Sequence, residues 1–450
     1  MKTQTLKTFI LLLLAWPLRA QTILESYIQE GLKSNLQLKQ EQLNYERSLE
    51  NLAQAKALFL PYAGVNASYQ LADGGRKITI PVGDLMNPVY ATLNQLTNTN
   101  NFPQIANQST NFLANNFHDT KVRIIQPLFN PEIYFNYKAQ KELISVQQAQ
   151  TAAYENQLKY EITSAYLQYL QSDEAIRILN NTHSTLEELL KVNQSLVANS
   201  KATKDVVLST EYELNKIEQQ IAESEKNNQV ALSYFNFLLN RDLNSKIEKD
   251  STLSVTNGDQ EELPALTILA LKQRQELVQL QNGLRASEQV LSLNKGNSFL
   301  PKINAVGDIG YQGFNYTFGS DQQYWLVQFG LTWDIFKGGE KRSKVQQARI
   351  EYQVMENKME QLKKQIELQV IQSHYELQSA RQTYVASQSG VRVSQKSFQI
   401  IQSKYKEGAA ILIEYLDAQN KYTTAQLTNS INQYELLRKA AALQKTINNL

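Results

Sequence analysis

From Glu340 to Tyr405 the chain contains no proline and a single glycine, Gly390. Apolar or small residues recur at Val345, Ala348, Tyr352, Met355, Met359, Leu362, Ile366, Val370, Ser373, Leu377, Ala380 and Tyr384, then at Val391, Ser394, Phe398, Ile401 and Tyr405. Steps that alternate between three and four are the heptad seam of a long helix packed along a partner, and the one 4-4 step, Leu362-Ile366-Val370, is a stutter. The same spacing runs from Tyr137 through Ile144, Thr151, Tyr154, Leu158, Ile162, Ala165, Tyr169, Ile176, Leu179, Leu186 and Leu190 to Val197, with its 4-4 step at Tyr154-Leu158-Ile162. At about 1.5 Å rise per residue, each helix is on the order of 100 Å long. Shorter helices are expected at Thr22–Leu58 and Thr203–Asn240, and again at Pro264–Lys295 and Leu412–Asn448.

Between the helices lie four segments of strict alternation, about 62–72, 120–129, 302–313 and 324–336. One face of the first holds Ala63, Val65, Ala67, Tyr69 and Leu71, and one face of the fourth holds Trp325, Val327, Phe329, Leu331, Trp333 and Ile335. The third sets Ile303, Ala305, Ile309 and Tyr311 against Asn304, Asp308 and Gln312; the second sets Val122, Ile124 and Leu128 against Lys121 and Arg123. Period two with aromatic ends, over roughly ten residues, is the pattern of a tilted strand crossing an outer membrane. Four strands cannot close a barrel, and lipid tolerates no open sheet edge, so several chains must share one barrel.

The two halves are copies of one unit. Tyr405-Lys-Glu-Gly408-Ala-Ala-Ile-Leu-Ile-Glu414-Tyr-Leu-Asp417-Ala-Gln419 has a degenerate counterpart, Leu196 to Glu211, about 208 positions earlier. Phe59-Leu60-Pro61 returns as Phe299-Leu300-Pro301, and Pro127-Leu128-Phe129-Asn130 as Asp334-Ile335-Phe336-Lys337. The two offsets differ by about 33 residues, so the first copy holds an insertion on one face, the loop 73–119. The organisation read from this is a first repeat over 21–249, a linker over 250–263 punctuated by Asn257-Gly258-Asp259, and a second repeat over 264–450.

Composition narrows the setting. Lys2 and Lys7, the apolar run Phe9–Trp16 and the Pro17–Ala20 segment form the three parts of an export signal over 1–20, so the mature chain is expected to leave the cytoplasm. Its removal takes three basic residues and moves the net charge from +2 to −1, which argues against a nucleic-acid partner. The chain has no cysteine, which excludes disulfides, thiolate chemistry and a lipid anchor on an N-terminal cysteine. After residue 20 no apolar run is long enough for a membrane-spanning helix. No nucleophile–base pair, phosphate loop or clustered His/carboxylate spacing occurs, so an enzyme, a cofactor and a metal site are not expected.

Taken together, the duplication, the element order, Phe-Leu-Pro before a strand, Pro-Leu-Phe after one, and Tyr405-x-x-Gly408-x(5)-Glu414-x-Leu416-x-Ala418-Gln419 resemble the TolC-type outer membrane factor family over essentially the whole mature chain. The resemblance implies a mainly α fold with a small β part. In it, internally duplicated coiled-coil helices build a periplasmic α-barrel, and four strands per chain enter a 12-stranded barrel shared by a homotrimer. It implies the exit duct of a tripartite efflux pump or type I secretion system, in the outer membrane of a Gram-negative bacterium. The partners would be outer-membrane lipid, a periplasmic adaptor of the membrane fusion protein class and an inner-membrane pump, with the loop 73–119 outside the cell. A periplasmic coiled-coil scaffold or adhesion protein without a pore shares the heptads but leaves the four strands unexplained.

The resemblance places the periplasmic aperture at Glu414 and Asp417, with Asp205 from the first repeat and Tyr405 beside them. Three copies would stack these carboxylates in rings. At a separation of about 7 Å, like charges repel by about 0.6 kcal/mol in water and about 2 kcal/mol at an effective dielectric of 20, enough for pH and bound cations to matter. Acidic residues that merely complement a helix N-terminus are the plainer reading of the same positions. The hairpin tips, with Asn199, Ser200 and Lys201 in one and Gly408, Ala409, Ile411 and Leu412 in the other, are the candidate docking surfaces for the adaptor.

Overall fold

The computed structural model describes residues 22–250 and 262–448; the expected export signal and residues 251–261 of the linker lie outside them. The described elements are α1 (Ile23–Ser34), α2 (Leu36–Ala57), β1 (Tyr62–Gln70), β2 (Lys77–Ile80), α3 (Val82–Thr97), β3 (Gln108–Asn111), β4 (Phe117–Phe129), α4 (Pro131–Ala198) and α5 (Asp205–Leu238), followed by α6 (Leu263–Gln273), α7 (Gln275–Phe299), β5 (Lys302–Phe314), β6 (Gln323–Thr332), α8 (Glu340–Lys406) and α9 (Leu412–Thr446). The two seam-bearing segments are the helices α4 and α8, 68 and 67 residues long. The chain forms two compact units, one of residues up to Leu49, Glu142–Arg285 and Gln353 onward, the other of Glu50–Lys141 and Ala286–Tyr352. Each unit draws on both repeats, so compactness cuts across the duplication.

In the helical unit the stutters mark the cores. Leu158 and Ile162 of α4 are fully buried with Tyr166, Phe235 and Leu239, and their counterparts Ile366 and Val370 of α8 are fully buried with Leu266, Ala270, Leu443 and Ile447. A 4-4 step puts consecutive seam residues on nearly one face, which suits a point where a long helix meets more than one neighbour. Gly31 is there because of that crowding: a Cβ on it would stand 2.3 Å from Ile162 Cδ1. Tyr27 packs edge-on against Phe235 with ring centroids 5.1 Å apart, a favoured aromatic geometry.

The first short helix of each repeat is not continuous, contrary to the sequence expectation. Asn35 separates α1 from α2 with an extended backbone, and Arg274 separates α6 from α7 in the same way. Each break is held from the far end of a neighbouring helix. Asn35 Nδ2 donates to the Leu238 carbonyl at 2.9 Å while its Oδ1 accepts the Leu38 N–H, and Arg274 Nη1 donates to the Thr446 carbonyl at 3.1 Å. Tertiary satisfaction of helix-end carbonyls thus overrides local helix propensity at one residue per repeat.

The second unit is built on one antiparallel sheet, ordered β1-β4-β5-β6. The register sets Val65 opposite Val122, Val122 opposite Ile309 and Ile309 opposite Trp325, so the apolar faces read from the four alternations come together on one side. That side is bare: Trp325 is 76% exposed, and Val65, Ile309, Val327 and Phe329 are exposed with it. The opposite side carries the charges. Arg123 forks onto the Asp308 carboxylate at 2.8 and 2.7 Å, and Asp119 accepts hydrogen bonds from Tyr324, at 2.8 Å, and from Lys121. Pro127, which has no N–H to give the ladder, stands beside a bulge at Leu128, where the pairing moves from Pro127–Asn304 to Phe129–Ile303.

Two expectations change here. β6 ends at Thr332 because Lys302, its last partner, follows Pro301 at the start of β5; Trp333, Ile335 and Phe336 therefore lie beyond the strand. The insertion 73–119 is folded rather than a plain loop: β2 pairs with β3, and α3 lies between them. Asn87 and Asn94, two turns apart on α3, each clasp a backbone residue from both sides, Ile105 at 2.9 and 3.0 Å and Phe102 at 3.0 and 2.7 Å.

Tyr166 gives the helical core a pH signature. Its hydroxyl donates to the Glu248 carbonyl at 2.9 Å and accepts the Asp250 N–H at 2.7 Å, and burial pushes its pKa up to about 12. An unfolded tyrosine ionises near 10, so this residue's contribution to stability is complete below pH 10 and is lost as pH rises from 10 toward 12. Chemical denaturation at pH 9, 10 and 11 is expected to show a falling midpoint, with a smaller fall in Tyr166→Phe; equal falls in the two proteins would sink this assignment.

Candidate functional site at the helix tips

Two hairpin turns, both in the helical unit, join α4 to α5 and α8 to α9. They are built alike. Lys201 N–H bonds to the Leu196 carbonyl and Ala409 N–H to the Lys404 carbonyl, each at 2.8 Å, in the six-to-one closure of a Schellman turn. Gly408 takes the left-handed backbone this closure requires, and Ser200, which stands in its place in the first repeat, takes it too, with φ +74° and +54° respectively. A serine there bears the left-handed cost that glycine avoids. Asn199 is held by its own side chain to the Ser195 carbonyl, and Lys201, Ala409 and Ile411 are exposed.

The expected aperture residues fall into different environments. Glu414 is exposed in the first turn of α9, where its carboxylate accepts the Ile411 N–H at 3.2 Å. It therefore caps the helix and complements its dipole while still facing solvent. Asp417, one turn on, is exposed and pairs with Lys421 at 2.7 Å, which offsets part of its charge. Asp205 opens α5 and accepts the Thr203 hydroxyl. Tyr405 is different: it is half-buried, tilted against the Tyr415 ring at 5.3 Å, and its hydroxyl donates to Asn193 Oδ1 at 2.6 Å. Burial holds its pKa above the ordinary tyrosine value.

Asn193 is the residue that reading the sequence passed over. It is fully buried, and its Nδ2 donates to Thr210 Oγ1 at 2.8 Å, whose hydroxyl in turn donates to the Val206 carbonyl at 2.7 Å. A relay Tyr405–Asn193–Thr210–Val206 so joins α8, α4 and α5 just above the first tip. Asn193 lies on the seam between Leu190 and Val197, and a polar residue at a seam position is the signal that could have revealed it. The second repeat has no such relay at the equivalent residues, Ile401 and Ala418.

Beside the tips an open groove of ≈ 590 Å³ runs between the first turns of α5 and α9, lined by Leu208, Tyr212, Leu412, Ile413, Leu416 and Asp417. Of the expected docking residues it gathers only Leu412. Leu208, Tyr212 and Ile413, all exposed, are added by the fold because the two helices begin at the same level.

Residues 266–449 match the outer membrane efflux protein family. No curated protein matches the chain by sequence. Among solved structures, the outer-membrane channel OprN aligns with a TM-score of 0.75 at 15% identity, covering 95% of this chain and 90% of its own. The Campylobacter jejuni CmeC outer membrane channel aligns at 0.77 and 15%, covering 95% and 86%. The Neisseria gonorrhoeae MtrE outer membrane channel, solved in its open state, aligns at 0.75 and 16%, covering 95% and 89%. The fold is that of outer membrane channels along nearly the whole chain, and residues 266–449 resemble the outer membrane efflux protein family. The resemblance to the TolC-type family read from the sequence holds in both comparisons.

The relay can be tested directly. Tyr405→Phe leaves a buried acceptor on Asn193 without its donor, which costs about 1–3 kcal/mol. Hydrogen exchange at the amides of 193–204 is expected to quicken in the variant while exchange around Phe235 stays unchanged. Unchanged exchange at the tip would mean that the relay does not tie the hairpin down.

Proposed function

We propose that this chain is one subunit of an outer membrane channel whose barrel three copies share, twelve strands in all. The observation that carries this reading is the four-stranded sheet with a bare apolar face, a charged opposite face and unpaired edges at β1 and β6. In water such a sheet exposes both its apolar side chains and its edge amides. In a bilayer, with copies pairing β6 to β1, the apolar face meets lipid, the edges vanish, and Arg123, Asp308, Lys121 and Asp119 turn to the lumen.

In this reading the long helices continue the lumen into the periplasm. The duct serves a tripartite efflux pump or a type I secretion system, and the energy comes from the inner-membrane pump. The periplasmic adaptor docks at the tips, where Leu208, Tyr212 and Ile413 offer apolar surface next to the expected Gly408–Leu412 turn. The folded insertion 77–111 lies on the outer side of the cell. Glu414 and Asp417 form the narrow acidic mouth, with the Tyr405 relay holding one hairpin closed. Lys421 moderates the Asp417 ring.

Planar-bilayer conductance of the detergent-purified protein tests the reading. A small, cation-selective, divalent-blocked conductance is expected, and Glu414→Ala/Asp417→Ala should lose both selectivity and block. Lys421→Gln, which frees the Asp417 carboxylate, should raise cation selectivity. Conductance indifferent to the acidic pair would move the constriction elsewhere, and no conductance in any variant would favour the poreless scaffold.

A further inference from the structure

The Phe-Leu-Pro and Pro-Leu-Phe-Asn segments mark the duplication, and in the sheet unit they also meet around one space. Phe59, Leu128, Phe129 and Leu300 enclose ≈ 310 Å³ together with Tyr134 and Phe135 from the start of α4. The bulge shapes this pocket. Up to Pro127 the even-numbered residues of β4 face the apolar side, as Val122 and Ile124 do; the extra residue then brings Phe129 opposite Ile303, so that Leu128 and Phe129 turn to that side together. Behind them α7 runs so close to α4 that a Cβ on Gly296 would stand 3.1 Å from Phe135 and 3.2 Å from Pro131.

The wall is apolar apart from Asn130 and the Tyr134 hydroxyl, and Asn130 is engaged in capping α4, its Oδ1 accepting the Glu132 N–H at 3.0 Å. Leu128, Phe129, Tyr134 and Leu300 are nevertheless exposed, and open apolar surface of this kind marks a place that something covers. A second copy joined at β1 or β6 does not cover it, because β4 is an inner strand. The pocket continues the apolar face of the sheet at the end from which the helices leave, opposite the insertion 77–111. A water molecule takes about 30 Å³ of the liquid and a methylene group is of similar size, so the space admits on the order of ten such groups, one acyl chain and not two. At its rim stands a cation. Lys138, one turn beyond Tyr134, holds its Nζ over the Tyr134 ring at 4.6 Å and has no ion pair among the described residues. Glu132, the acid nearest in sequence, is neutralised by Lys302 at 2.6 Å.

We propose that this pocket holds one acyl chain of a glycerophospholipid from the periplasmic leaflet, with the lipid phosphate on Lys138. An apolar slot for a single chain beside an unpaired ammonium is complementary to a molecule that carries a chain and an anion together. The inference rests on the membrane reading above and adds to it a lipid that stays in place, whereas the rest of the sheet face meets lipid that exchanges freely.

Photolabelling tests this with the full chain in vesicles of phosphatidylethanolamine and phosphatidylglycerol, a small fraction of the latter carrying a diazirine near the end of one acyl chain. Peptide mapping is expected to find label concentrated on 127–135 and around Phe59 and Leu300, at several times the level on β6 around Val327 and Phe329, which meet bulk lipid. Leu128→Trp and Leu300→Trp each fill the space and should bring the pocket label down to the β6 level while the β6 label itself stays, which also shows that the variant is inserted. Lys138→Gln should lower the pocket label roughly fivefold, the factor that corresponds to one lysine near a lipid phosphate. Equal pocket label from a diazirine diacylglycerol, which has no phosphate, would overturn the role of Lys138. Label spread evenly over the sheet, or pocket label indifferent to both tryptophan variants, overturns the held lipid and leaves the membrane reading standing. No label on β6 in the parent protein overturns the membrane reading itself.

Discussion

Backbone amides at the edge of a sheet must find partners, and among the described residues those of β1 and β6 find them on their inner sides alone. Every other feature of the unit agrees with that deficit. The apolar side chains are gathered on one face with no protein over them, and the charged ones on the other face satisfy each other through Arg123–Asp308 and Lys121–Asp119–Tyr324. A soluble sheet would reverse the economy, burying the apolar face and solvating the charges. This one makes sense where the solvent on one side is hydrocarbon and the amides are completed by like strands.

The helical unit solves a different problem, that of ordering long helices that carry little intrinsic preference for one register. Heptad seams alone permit sliding; the stutters, the two extended residues Asn35 and Arg274, and the tip turns at Ser200 and Gly408 do not. Each repeat uses the same three fixed points, at matching positions. Between those points the copies have diverged, most clearly where buried Asn193 and Thr210 of one correspond to Ile401 and Ala418 of the other.

Much of this was legible in the chain because it rests on periodicity. The period-two faces came together on one side, short of Trp333 and Ile335, since an antiparallel neighbour leaves little freedom once one face is apolar. The long helices, their stutters and the tip turns also stood at the expected places. What periodicity cannot carry was hidden. The breaks at Asn35 and Arg274 depend on carbonyls some 170 to 200 residues away, and the order in 77–111 depends on two asparagines gripping backbone. At the tips, sequence gave the positions of Glu414, Asp417, Asp205 and Tyr405 but not their unlike surroundings. Whether a carboxylate caps a helix, pairs with a lysine or stands free is decided by neighbours within a turn, and the burial of Tyr405 by Asn193, 212 residues earlier.

In the proposed ring, the two open edges also govern how assembly proceeds in time. A row of chains joined β6 to β1 still ends in one free β1 and one free β6, however many chains it contains. Each join pairs one β6 with one β1, so a partial row carries fewer free edges per chain than separate copies do, yet only closure of the ring leaves none. Partial rows should be transient and prone to mispairing, and the finished ring should be slow to come apart, because its first break restores both edges at once.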